Sequence, residues 1–98
     1  VWDYAFETNY AAVTPEDFSC NVNRGNPSND LFIFNNFLTS IFGSPASAEQ
    51  VNSNPFLVTR INECEAVRAA MANFVTVDFI SIGDTIITVD ELNALGPY

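Results

Sequence analysis

The chain has 98 residues, with twelve Asp and Glu against three arginines, no lysine and no histidine, for a net charge of −9. That balance excludes nucleic acid and anionic membranes as electrostatically held partners. An apolar fraction of 48% with nine Phe excludes a disordered or linker-like polypeptide, and the length suits one small domain or a piece of a larger one.

In chain order, Val1–Phe6 alternates Trp2, Tyr4 and Phe6 with Asp3 and Ala5 and reads as a strand. Thr14, Pro15, Glu16 and Asp17 read as a cap, a helical proline and first-turn acids, hence a short helical turn. Asn21–Asp30, dense in Asn, Gly and Pro, reads as a loop. Leu31–Phe37 is apolar on both parities, as a strand covered on both faces of a parallel sheet would be.

Gly43, Ser44 and Pro45 punctuate, and Ser47–Asn52 holds a brief helix. Pro55 opens an amphipathic helix over Phe56–Met71, with Leu57, Ile61, Cys64, Val67 and Ala70 at helical spacing. Phe74–Phe79 follows as a strand. Thr85–Leu95 places Ile86, Val89, Leu92 and Leu95 at helical spacing, with Asp84 as cap or first-turn acid and Gly96-Pro97 as the stop. Strand, long connection, strand, helix, strand, helix is a parallel α/β pattern. Three such strands leave outer edges and apolar faces uncovered, so the chain is expected to be incomplete by itself, its missing surface supplied by another polypeptide or an identical copy.

Cys20 and Cys64 have no CxxC spacing and no histidine nearby, a poor metal site. One disulfide is the favoured reading, with a loop-closure stabilisation of about 3–4 kcal/mol, and two buried free thiols are the alternative. No metal or cofactor is called for. No run approaches the roughly 18 apolar residues of a membrane span, and the first ten residues lack a signal-peptide layout. Lysine-free, acidic, Asn/Ser/Thr-rich composition fits a secreted, extracellular protein, whose targeting segment would be removed or lie upstream.

Asn73–Asp84 (NFVTVDFISIGD) is the most telling stretch, because an apolar strand there ends in Asp78. A purely structural strand gains nothing from an unpaired carboxylate near its C-terminal end, which is where α/β folds place chemistry. The structural alternative is that Asp78 caps a loop amide or pairs with an arginine.

FETNYAAVTPEDFSCNVNRG, LFIFNNFLTS and NFVTVDFISIGDTIITVDELN, in that order, resemble the C-terminal portion of fungal phospholipase C-like phosphodiesterases, relatives of the phosphatidylinositol-specific phospholipase C barrel. The resemblance implies that residues 1–98 form the last three β/α units of a distorted TIM barrel of roughly 300 residues. An N-terminal portion of roughly 200 residues would then belong to a companion chain. In that family two histidines in the N-terminal part act as general base, through the inositol 2-hydroxyl, and general acid toward the leaving alkoxide. Asp78 resembles a last-strand carboxylate that orients one histidine. The chain departs from the family at Asn36, where a histidine is common, at Ile80 for an aromatic, and at Ser81 for an acid.

Trp2, Asp3, Tyr4 and Glu7 combine aromatic faces with carboxylates, the groups that bind a polyol ring by stacking and by accepting from vicinal hydroxyls. In related phospholipases an inositol ring is bound in that manner; otherwise these residues are core or barrel lining. Asn35 and Asn36 either bind hydroxyls or fix a turn. Arg24 either binds phosphate or forms a structural ion pair. Arg60 and Arg68 sit at solvent-favouring spacing, within reach of Glu63 and Glu65. The reading is therefore the smaller chain of a two-chain, secreted barrel with a polyol or phosphodiester site, and the alternative is a non-catalytic carbohydrate-binding protein, such as a fungal lectin, on the same barrel.

Overall fold

Apolar residues alternating along short segments build a mixed α/β unit in a computed structural model that describes residues 1–39 and 44–96. Four strands, β1 (Ala5–Thr8), β2 (Val22–Arg24), β3 (Leu31–Asn35) and β4 (Phe74–Thr76), form one sheet in the order β2-β1-β3-β4. β1, β3 and β4 run parallel, with Phe6 opposite Phe32 and Phe34 opposite Val75. β2 runs antiparallel to β1, with Glu7 opposite Arg24. Helices α1 (Pro45–Asn52) and α2 (Phe56–Arg68) connect β3 to β4, and α3 (Thr85–Leu95) follows β4.

The period-2 alternation sorts the sheet into two faces. Phe6, Phe32 and Phe34 point toward the helices and are fully buried with Leu57, Ile61 and Cys64 of α2. The rings of Phe6 and Phe32 stack at 4.8 Å, and Phe34 meets Phe32 edge-on at 6.5 Å. Each such side chain contributes about 1.5–3 kcal/mol by leaving water. Among the described residues the other face carries Ala5, Leu31, Ile33 and Phe74 without a covering helix, and a groove of about 460 Å³ runs over it between Val1, Tyr4 and Thr76.

Several expected boundaries move, for physical reasons. The N–H groups of Tyr4 and Ala5 both donate to the Val1 carbonyl, so residues 2–4 form a turn and the strand begins at Ala5. Part of the expected loop at Asn21–Asp30 is strand β2, because β1 offers it a partner edge and Gly25 turns the chain at φ 86°. β3 ends at Asn35 rather than Phe37, and β4 ends at Thr76, leaving Asp78 and Phe79 in a loop where Phe79 takes a left-handed φ of 52°. α2 stops at Arg68 because Ala69 is left-handed and its N–H donates back to Glu65. The expected break at Gly43 and the stop at Pro97 lie outside the described residues.

Two expectations are reversed. Arg60, expected in solvent beside glutamates, is buried on the core face of α2. In α3 the threonines Thr85 and Thr88 are buried, while Ile86 (59%), Ile87 (60%) and Leu95 (82%) are exposed. Only Leu92 of the expected stripe packs against the core. Ile86 and Val89 instead line a groove of about 430 Å³ with Ile80 and the outer edge of β4. Asp84 stands at the N-cap of α3 but makes no side-chain cap; its Oδ2 accepts the Asn54 N–H at 2.8 Å. Among the described residues no helix is long and apolar enough to cross a membrane.

A Cβ at Gly25 would lie 2.0 Å from the Ala5 carbonyl oxygen and 2.7 Å from the Phe6 Cα, atoms of backbone that cannot swing aside. Gly25→Ala is therefore expected to cost about 3 kcal/mol or more, from strain at positive φ plus lost β1–β2 pairing. A urea midpoint indistinguishable from that of the native protein would contradict this.

Candidate functional site

The parallel register places the exits of β1, β3 and β4 on one edge, and there the open face turns polar. The Glu7 carboxylate of β1 is almost wholly buried and pairs with Arg24 of β2, Nη2 donating to Oε1 at 3.2 Å and Nε to Oε2. Asn23 Nδ2 donates to the same Oε2 at 3.0 Å. On the other side Asn35 Nδ2 of β3 donates to Glu7 Oε1 at 3.1 Å, and Thr76 Oγ1 of β4 donates to Asn35 Oδ1 at 2.6 Å. One hydrogen-bonded row thus crosses all four strands, from Arg24 through Glu7 and Asn35 to Thr76.

Burial pushes the Glu7 carboxyl upward, but hydrogen bonds from Arg24, Asn23 and Asn35 outweigh it and hold the group below the ordinary glutamate range. Glu7 is consequently an anion and a hydrogen-bond acceptor at neutral pH. Arg24 is raised by its bond to Glu7. Its guanidinium lies 4.4 Å from the Trp2 ring centroid and 5.5 Å from that of Tyr10, and its side chain remains 52% exposed. The row therefore presents an exposed cation between two aromatic rings, next to a fixed carboxylate, an amide and a hydroxyl. Such groups recognise vicinal hydroxyls and anionic oxygens.

Of the residues singled out in the sequence, Glu7 and Asn35 meet in this row, and Trp2 reaches it through Arg24. Asp3 and Tyr4 are exposed in the turn before β1, and Tyr4 lines the apolar groove that extends to Thr76. Asn36 is fully buried on the helix side, its Nδ2 donating to the Val51 carbonyl at 2.9 Å and its Oδ1 accepting from Arg60 at 3.0 Å. Asp78 lies two residues past β4 with an exposed side chain, which accepts no hydrogen bond among the described residues; its carbonyl accepts from Asn52 at 2.9 Å. Thr76 was not singled out; its polarity at the end of an apolar strand was the available signal. Arg24 forms the ion pair of one of its two readings, while its side chain stays half-exposed.

Cys20 and Cys64 form a disulfide with a sequence separation of 44. It joins the loop after β1 to α2 directly beneath the core phenylalanines. Among the described residues no group of three or more acidic, His or Cys side chains is arranged to hold a metal.

The PI-PLC X family model (PI-PLC X 1) matches residues 1–93. The chain belongs to the PI-PLC X family. No curated protein and no solved structure matches it. The match bears out the PI-PLC-like resemblance carried by FETNYAAVTPEDFSCNVNRG, LFIFNNFLTS and NFVTVDFISIGDTIITVDELN, and it takes in every element from β1 to Asn93 of α3. Among the described residues the polar row gathers a buried carboxylate, an amide, a hydroxyl and a half-exposed guanidinium at one end of the parallel strands.

Proposed function

We propose that this PI-PLC X chain is the smaller, C-terminal chain of a two-chain secreted barrel, and that its polar row forms one wall of a polyol or phosphodiester site. The carrying observation is the row itself. It stands at the C-terminal edge of parallel strands, where a (β/α) barrel has its mouth, on the sheet face that would look into the barrel. Glu7 would accept from ring hydroxyls, Arg24 and Asn35 would donate to hydroxyl or phosphate oxygens, and Trp2 would flank the ring. Asp3 and Tyr4 make no hydrogen bond to the row among the described residues and would face the companion chain.

Three features support a companion chain: an apolar face over β1, β3 and β4, an outer β4 edge with no strand partner among the described residues, and an outward apolar side of α3. Parallel sheets are ordinarily covered on both faces. The disulfide accords with an oxidising, extracellular setting. Catalytic histidines, where the whole protein has them, would come from the companion, and Asp78 at the same edge would orient one of them.

Purified native protein should release a second chain of about 20 kDa under denaturing conditions, as a complete barrel requires. It should also cleave phosphatidylinositol. A folded, monomeric 98-residue chain with no companion would refute the architecture. A lectin-like reading is favoured by one observation, that Glu7 is held ionised and no other member of the row titrates near neutrality. Glycan binding with no phosphodiester cleavage by the two-chain protein would decide for it.

A further inference from the structure

We propose that Arg60 is a positioning residue for the polar row: working from the helix side, it fixes the Asn35 backbone and so sets where the Asn35 amide stands between Glu7 and Thr76. The inference rests on the ligand reading of the row given above.

Arg60 occupies a core position of α2, flanked in the helix by Leu57, Ile61 and Cys64. Its guanidinium is sandwiched between Phe18 at 4.3 Å and Phe34 at 4.6 Å. No carboxylate pairs with it among the described residues, where Arg24–Glu7 is the ion pair found. Its charge is met by neutral acceptors: Nη2 donates to the Asn35 carbonyl at 2.8 Å, Nε to Asn36 Oδ1 at 3.0 Å and Nη1 to the Ser19 carbonyl at 3.2 Å. Burial lowers its pKa to about 10, which leaves it charged at neutral pH.

A buried cation without a counter-ion is costly, and an apolar side chain of similar size would pack there more cheaply. The geometry shows what the charge does instead. The β1–β3 ladder ends at Glu7 opposite Ile33, so no further β1 residue of that ladder serves the backbone of Asn35. Thr8 Oγ1 accepts the Asn35 N–H at 3.0 Å, and Arg60 caps its carbonyl. The Asn35 side chain is then held by Glu7, the Thr8 carbonyl and Thr76. Every polar group of Asn35 has a partner, and Arg60 is the one reaching it from the helix layer.

The test is a double-mutant cycle in the native, full protein, with myo-inositol 1-phosphate as the titrated probe. Arg60→Met and Arg60→Lys should each weaken binding by about tenfold, and combining either with Asn35→Ala should weaken it no further than Asn35→Ala alone. Alongside, nuclear magnetic resonance of the Asn35 side-chain amide should show hydrogen exchange at least about tenfold faster in the Arg60 variants, with the Phe32 and Phe34 backbone amides unchanged. Additive losses, or unchanged Asn35 exchange in both variants, would overturn the proposal. Failure of the unaltered protein to bind the probe would instead refute the ligand reading, and the exchange measurement would still decide the role of Arg60.

Discussion

Glu7→Gln is expected to lower stability at pH 7 by about 1–3 kcal/mol and to remove part of the protein's acid sensitivity. Glutamine keeps the shape of Glu7, but its amide would set N–H groups against the Arg24 and Asn23 donors that now share Oε2. Half-exposure of Arg24 keeps the loss below that of a fully buried pair. The folded-state pKa of Glu7 lies below its unfolded value, so its contribution is present above about pH 4.3 and is lost as pH falls through the folded value. Urea midpoints of the native protein and the variant should therefore differ at pH 7 and converge as the pH falls through the folded-state value of Glu7. A constant difference across that range would show that Glu7 is not held ionised by its neighbours. The same variant should abolish binding of a polyol phosphate at pH 7, because the row would lose its anion and the alignment of Arg24 together.

The second large effect concerns the disulfide. A sequence separation of 44 between Cys20 and Cys64 corresponds to about 4 kcal/mol of loop-closure stabilisation. Cys64 is fully buried among Phe6, Phe32, Phe34, Leu57 and Ile61, so Cys20→Ala/Cys64→Ala also removes packing atoms from the centre of the core. The double variant should lose at least about 4 kcal/mol, a large share of the stability of a small domain. Local damage should follow, because Ser19 next to Cys20 supplies a carbonyl to Arg60. Limited proteolysis should then cut first between residues 9 and 21. Equal resistance to urea with and without the cross-link would show that the loop is held by its other contacts.

Local chemistry carried most of the elements. The Phe alternation of β3, the capped turn at Pro15, the helix over α2 and the threonine-led α3 all follow from spacing and turn residues that act within a few positions of themselves. Strand ends were less legible. β2 exists because β1 presents an edge to it, and Val1 starts a turn because its carbonyl meets two N–H groups. The burial of Arg60 ran against its helical neighbours' charges, since what stabilises it is carbonyls and phenyl rings contributed from Ser19, Phe34 and Asn35, far away in sequence. In α3 the spacing of Ile86 and Val89 marked an apolar stripe correctly, but not that it faces away from this chain's core.

The candidate site divides in the same way. Glu7 and Asn35 were visible as polar residues at strand ends, and Asp78 was visible as a carboxylate after an apolar run. Their union with Arg24 and Thr76, and the separation of Asp3, Tyr4 and Asn36 from them, depended on register and on which face each strand residue takes. By itself the sequence determined the α/β class, the parallel strand–helix rhythm, the PI-PLC X membership and the want of any histidine, because these reside in residue types and their order. Only the tertiary structure decided which side chains meet in the polar row and that Arg60 lies beneath it, because hydrogen bonds among residues from four strands and a helix are set by packing, which no local pattern records.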